Sequence, residues 1–168
     1  MSFKIGAKET EYKGYRFRSR LEARWAVYFD ACGLKWEYEK EGFNLPDGTS
    51  YLPDFWLPQV RMWAEVKPDE FSVAEAKKCA DLARVSGSPC IMLVGTPANR
   101  AYGFVEFADG KTISDDCVVS SYHGYPNDEH RFYTSVGEAD ENGEIDGDYF
   151  QTRQAVIAAR SARFEFKK

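Results

Sequence analysis

At 168 residues the chain is long enough for one domain with a real core, and 43% hydrophobic with 15% aromatic residues excludes an intrinsically disordered polypeptide. No apolar run approaches the roughly 20 residues that span a bilayer, and MSFKIGAKE lacks the apolar centre of a secretory signal, so a cytoplasmic protein without a membrane partner is expected. The net charge of −5 speaks against a polyanionic partner for the molecule as a whole, but the charge is unevenly distributed. Residues 1–68 carry 11 basic and 10 acidic side chains, and residues 69–168 carry 11 and 17. Because screening lengths are only about 8–10 Å at physiological salt, a locally basic segment can still attract phosphate.

That segment is the N-terminal arm, where Lys4, Lys8, Lys13, Arg16, Arg18, Arg20 and Arg24 face only Glu9, Glu11 and Glu22. A first helix is predicted over Ser19–Cys32, with Leu21, Trp25, Tyr28 or Phe29 and Cys32 on one apolar stripe and Gly33 as its stop. Ser19 and Glu22 stand at capping-box spacing, so Glu22 taken alone reads as a helix cap. Lys35–Glu39 alternates like a half-exposed strand, and Gly42–Ser50 is rich in turn residues.

Tyr51–Lys67 reads as two apolar strands joined near Pro58 and Gln59. A second helix is predicted over Ser72–Val85 with Ser72 as N-cap, followed by a short buried strand at Cys90–Val94. A hairpin over Phe104–Phe107 and Lys111–Ile113 turns at Asp109-Gly110. A last helix runs from about Tyr149 to Arg163, bringing Arg153, Arg160 and Arg163 within reach of one side. The order of elements gives an α/β class with a mixed central sheet and helices on both faces.

Four cysteines, Cys32, Cys79, Cys90 and Cys117, are widely spaced with no CxxC pair, which predicts reduced thiols. A ligand set of Cys117, His123 and His130, and a calcium loop over Asp140–Asp148, are both weaker readings than ordinary loops; Ile145 stands where a calcium loop needs its glycine.

The chemistry concentrates in Tyr51–Lys67. Strand alternation puts Trp63, Glu65 and Lys67 on one face and Met62, Ala64 and Val66 on the other, so both faces are apolar apart from the charges. A charge in a buried strand costs several kcal/mol unless it is paired. Asp54, Glu65 and Lys67 in such a setting suggest a metal site with a cation beside it.

The ordered set of Glu22 on a first helix, Pro53-Asp54, and Glu65-Val66-Lys67 on the next strand resembles the PD-(D/E)XK, or restriction-endonuclease-like, nucleases. Within that group FRSRLEARW, GLKWEYE, YLPDFWLP and WAEVK are similar to phage Holliday-junction resolvases of the endonuclease I type. The endonuclease subunits of heteromeric transposases share the PDF and EVKP pieces. The resemblance covers about residues 15–95 and extends the role of Glu22 beyond capping. It implies a restriction-endonuclease-like core, set over residues 1–100 with the basic arm; residues 101–168, which the family does not assign, are expected as a C-terminal elaboration packed on the same domain. It departs from the resolvases in the acidity of residues 106–148.

The resemblance implies a metal-dependent DNA endonuclease of phage or prophage type, acting in a bacterial host and selective for junction or branched DNA. Asp54, Glu65 and the Val66 carbonyl would hold Mg²⁺, with Mn²⁺ able to substitute, and Glu22 would serve a second metal position. Glu22, Asp54, Glu65 and Lys67 are the expected catalytic residues, and Lys13, Arg16, Arg18 and Arg20 the expected DNA contacts. The products would carry 5′-phosphate and 3′-hydroxyl ends. A non-catalytic DNA- or protein-binding module on the same fold, an RNA-directed nuclease, and a transposase-type subunit active only in a complex are the alternatives. The C-terminal third has three readings, which are homodimer formation, DNA binding and shielding of the site.

Overall fold

Lys13 and Gly14 both take positive φ, 49° and 80°, the pairing that a two-residue hairpin turn requires. They fold Thr10–Tyr12 (β1) back on Tyr15–Phe17 (β2), so this part of the basic arm is a hairpin. Its last residue, Phe17, is fully buried among Trp36, Tyr38 and Phe55. The structure is a computed structural model in which residues 8–59, 61–69, 71–97, 101–106, 112–117 and 149–164 are described, with 101–106, 112–117 and 149–153 by their backbone alone.

Arg20–Ala31 forms α1, capped by Ser19, whose hydroxyl accepts the Glu22 N–H at 3.2 Å. Ala23, Trp25, Ala26, Tyr28 and Phe29 are all buried, a face broader than the expected stripe. The width has a cause. Besides the sheet, α1 packs against Tyr149–Ser161 (α3), which presents Ala155, Val156 and Ala159 to the same core. Arg24 fastens the pair by donating to the carbonyls of Ala159 (2.6 Å) and Arg160 (2.9 Å), which lie in the last turn of α3 where carbonyls lack helical partners.

The next strands are short: Glu37–Tyr38 (β3), Phe43–Asn44 (β4), Ser50–Tyr51 (β5) and Phe55–Leu57 (β6). β4 and β5 pair with each other as a separate hairpin, so Tyr51 does not continue into β6 as the sequence suggests. Pro53 has no N–H to give a ladder, and β6 begins only after it. β6 runs antiparallel to Met62–Lys67 (β7), and Arg61 closes the turn with a φ of 51°.

Val73–Ser86 forms α2 between a complete capping box, Ser72 with Glu75, and a left-handed Gly87. It leads to Cys90–Val94 (β8), parallel to β7, and then to Ala101–Glu106 (β9) and Thr112–Cys117 (β10). The C-terminal hairpin is thus longer than its sequence suggests, because β9 is also paired along β8. Its expected turn at Asp109-Gly110 lies outside the described residues, as do His123, His130 and Asp140–Asp148.

The sheet order is β10-β9-β8-β7-β6-β3, antiparallel except for β7–β8. This is a mixed sheet with helices on both faces. On one side Met62, Ala64, Val66, Ile91 and Leu93 meet α1; on the other Trp63, Cys90 and Met92 meet Cys79, Leu82 and Ala83 of α2. Cys32, Cys79 and Cys90 are buried free thiols, and burial pushes the Cys32 thiol up to about 12, so it stays protonated.

Candidate functional site

The site follows from β6 being shorter than β7. Phe55 pairs with Ala64 and the ladder ends there, which leaves the Val66 backbone without a strand partner on that side. The Asp54 carboxylate takes the vacant place, its Oδ2 accepting the Val66 N–H at 2.8 Å. In a strand the carbonyl of a residue points the same way as its N–H, so the Val66 carbonyl is directed to the same side. The Asp54 backbone is fixed in turn, its carbonyl accepting the N–H of Glu39, a residue with a left-handed φ of 45°.

Glu65 and Lys67 emerge on the opposite, α2 face, as the alternation predicts. The Lys67 ammonium donates to Glu65 Oε1 at 3.0 Å and lies 3.3 Å from Glu75 Oε1. Glu65 Oε2 is buried with no hydrogen-bond partner, an uncommon state for a carboxylate oxygen. The Tyr51 hydroxyl faces this group, and burial followed by the Glu65 charge raises its pKa.

Glu22 lies at the start of α1, buried on its first turn. Its Oε1 accepts the Ser19 hydroxyl at 2.7 Å; its Oε2 accepts the Tyr38 hydroxyl at 2.5 Å and the Arg18 N–H at 3.2 Å. The reach back to the chain is therefore one residue beyond a capping box, to Arg18 rather than to Ser19 N–H. Glu22 does secure the helix start, and Tyr38 of β3 brings the sheet edge to it.

These groups share one electrostatic field. Burial, followed by the negative charges of Glu65 and then Glu22, lifts the Asp54 carboxyl well above its ordinary range, against the opposing pull of the Val66 N–H and of Lys67. For Lys67, burial alone would favour the neutral amine, but Glu65 and Glu75 outweigh it and raise its pKa, so it is a cation at neutral pH. Among the described residues no three His, Cys, Asp or Glu side chains converge tightly enough to hold a metal ion by themselves. Two buried carboxylates, Asp54 and Glu65, the latter with one oxygen that has no hydrogen-bond partner, and a backbone carbonyl are nevertheless hard oxygen donors with surplus negative charge, the set that suits a hard divalent cation.

The four cations expected to meet DNA lie at the surface, Arg18 and Arg20 beside Glu22 at the start of α1 and Lys13 at the far end of that helix, against Asp30. Lys13 pairs with Asp30 at 2.9 Å, Arg16 with Glu9, and Arg18 with Glu39 at 2.6 Å; Arg20 is the exposed first residue of α1. Arg18 comes nearest the carboxylates, since its own N–H is on Glu22 and its guanidinium on Glu39, which touches Asp54. Arg160 donates to the Pro97 carbonyl at 3.2 Å, beside α1 and not among these four.

Tyr38, Glu39 and Glu75 belong to the site without having been singled out from sequence. Glu75 stood in plain view three residues after Ser72, at capping-box spacing. Nothing local in the sequence marks Tyr38 as a partner of Glu22, because 16 residues and a turn separate them. No protein-family model matches the chain, and a search of curated proteins finds no match.

Proposed function

We propose that the chain is a metal-dependent DNA endonuclease with a restriction-endonuclease-like core, of the phage-type resolvase kind that its motifs resemble. The observation that carries this reading is the Asp54 carboxylate seated on the Val66 backbone, with Glu65 and Lys67 on either side of that residue in the strand. Asp54, Glu65 and the Val66 carbonyl would hold Mg²⁺ or Mn²⁺, with Glu22 as an outer or second-position carboxylate. The ion, when bound, polarises the scissile phosphate and acidifies an attacking water.

The chain's own residues set the rest. Lys67 orients or deprotonates the attacking water, or offsets negative charge growing on the phosphate in the transition state. Arg16, Arg18 and Arg20 bind the DNA backbone towards the α1 start and Lys13 farther along the helix beside Asp30, with Lys13, Arg16 and Arg18 exchanging a carboxylate partner for phosphate. Such exchange makes binding weaken steeply with salt.

The test is incubation of labelled four-way junction, branched, duplex and single-stranded DNA with Mg²⁺. Cleavage leaving 5′-phosphate ends, strongest on the junction or branched forms and abolished by Asp54→Asn with DNA binding retained, is the expected result. Binding without cleavage of any form would leave a non-catalytic module. Full activity of Asp54→Asn at saturating Mg²⁺ would remove the metal assignment.

A further inference from the structure

Lys67 ends the central strand on a long flexible side chain, and a single contact with Glu65 would not fix where its ammonium sits. The structure gives it a second anchor from another element. Glu75 Oε1 lies 3.3 Å from Lys67 Nζ, while its other oxygen, Oε2, accepts the Ser72 N–H at 2.8 Å and the Ser72 hydroxyl at 3.1 Å. The oxygen turned towards Lys67 is thus aimed by the grip of Oε2 on the Ser72 N–H, the shorter of these two contacts, at the start of α2. α2 is itself clamped to the sheet through the fully buried Cys79, Leu82 and Ala83.

We propose that Glu75 is a positioning residue that holds the Lys67 ammonium in place for phosphodiester cleavage, an inference that rests on the endonuclease reading above. Its use is clearest when Glu65 turns to a cation. Lys67 then loses its closer carboxylate, and among the described residues Glu75, fixed from the opposite side by α2, is the carboxylate still in contact with the ammonium beside the strand end. A helix cap that served stability alone would need Oε2 and not Oε1.

Three variants separate the two jobs. Glu75→Gln keeps an acceptor for Ser72 but removes the charge facing Lys67. Ser72→Ala weakens the cap but leaves Glu75 and its backbone acceptor contact. Lys67→Met completes a double-mutant cycle with Glu75→Gln, read by urea unfolding of the metal-free protein.

The expected result is a kcat about tenfold lower for Glu75→Gln with KM changed less than about twofold. Ser72→Ala should lower the unfolding midpoint while leaving kcat within about twofold, and the cycle should show a coupling of about threefold or more in the unfolding constant. Unchanged kcat in Glu75→Gln, an equal kcat loss in Ser72→Ala, or no coupling would each overturn the proposal. If the parent protein cleaves no DNA, the endonuclease reading falls with the catalytic half of this one, and the cycle still decides whether Glu75 holds Lys67.

Discussion

Asp54 is placed where it works against the fold. Its folded state binds a proton more tightly than the unfolded chain does, because burial and the charges of Glu65 and Glu22 disfavour the carboxylate. The sign follows from linkage: as pH rises from the unfolded value near 3.9 through the raised folded value, this group's contribution to stability falls, and above that range its full penalty stands. Asp54→Asn carries no such penalty and retains an acceptor for the Val66 N–H. In chelator it should melt roughly 2–4 °C above the parent at pH 7, and the gap should close towards pH 4. A thermal-shift series across that range checks this, and a gap that widens towards pH 4 would contradict it. Added Mg²⁺ should then raise the parent's melting temperature and leave the variant's unchanged. Glu22 separates cap from chemistry in a similar way. Its carboxylate holds Ser19, Arg18 and Tyr38 at once, so it fixes the α1 start and touches the sheet edge. Glu22→Gln keeps most of the hydrogen-bonding shape and should cost no more than ~1 kcal/mol of stability by denaturant unfolding. Its cleavage rate should fall by about tenfold or more if the charge serves the metal, and full activity would return Glu22 to the cap alone.

The elements show how far local patterns reach. α1, α2, β7 and β8 were legible because each carries a full period of its pattern: an apolar stripe with a cap, or an apolar run between turn residues, broken in β7 by Glu65 and Lys67. The three-residue strands β1 and β2 were not, since so few residues carry no alternation and Lys13-Gly14 is a weaker turn signal than Asn-Gly. β4 and β5 hid within a stretch dominated by Asn44, Pro46, Asp47 and Gly48, where only the pairing itself reveals the strands. The site was legible to the extent that its residues are local to one hairpin: Asp54, Glu65 and Lys67 lie within 14 positions. Tyr38 and Glu39 reach it only through β3–β6 pairing, which single-sequence periodicity does not encode. The β1–β2 hairpin carries Lys13 and Arg16 but none of the carboxylates, which yields a test at this scale. Gly14 stands at φ +80° with open space around an added Cβ, so Gly14→Ala is strained by its backbone alone. It should destabilise by about 1 kcal/mol and weaken DNA binding, while cleavage at saturating DNA stays within about twofold of the parent. A loss of kcat in that variant would tie the hairpin to the reaction itself.

At the scale of the whole molecule the question is how an acidic protein would admit DNA. The candidate site lies along β6 and β7 towards the β3 edge of the sheet, with Glu22 and Arg18 at the α1 start close by. The acidic run of Asp140–Asp148 lies outside the described residues, but its flanking elements are placed. β10 forms the other edge of the sheet, and α3 packs against α1, whereas Glu65 and Lys67 are on the α2 side. An acidic run lying away from the site would orient rather than block, repelling DNA everywhere except at the basic arm, whereas one lying across it would act as a lid. Neutralising Asp140, Glu141, Glu144, Asp146 and Asp148 together tests this. Under the orienting arrangement, DNA affinity should rise several-fold at low salt, and the gain should shrink as salt screens the removed charges. Cleavage at saturating DNA should remain within about threefold of the parent at every salt concentration, because a residue that only repels approaching DNA does not alter the bound complex. A rate at saturation that climbs by about tenfold or more would instead place the acidic run across the groove, as a lid that the parent protein must displace before Asp54 and Glu65 meet a phosphate.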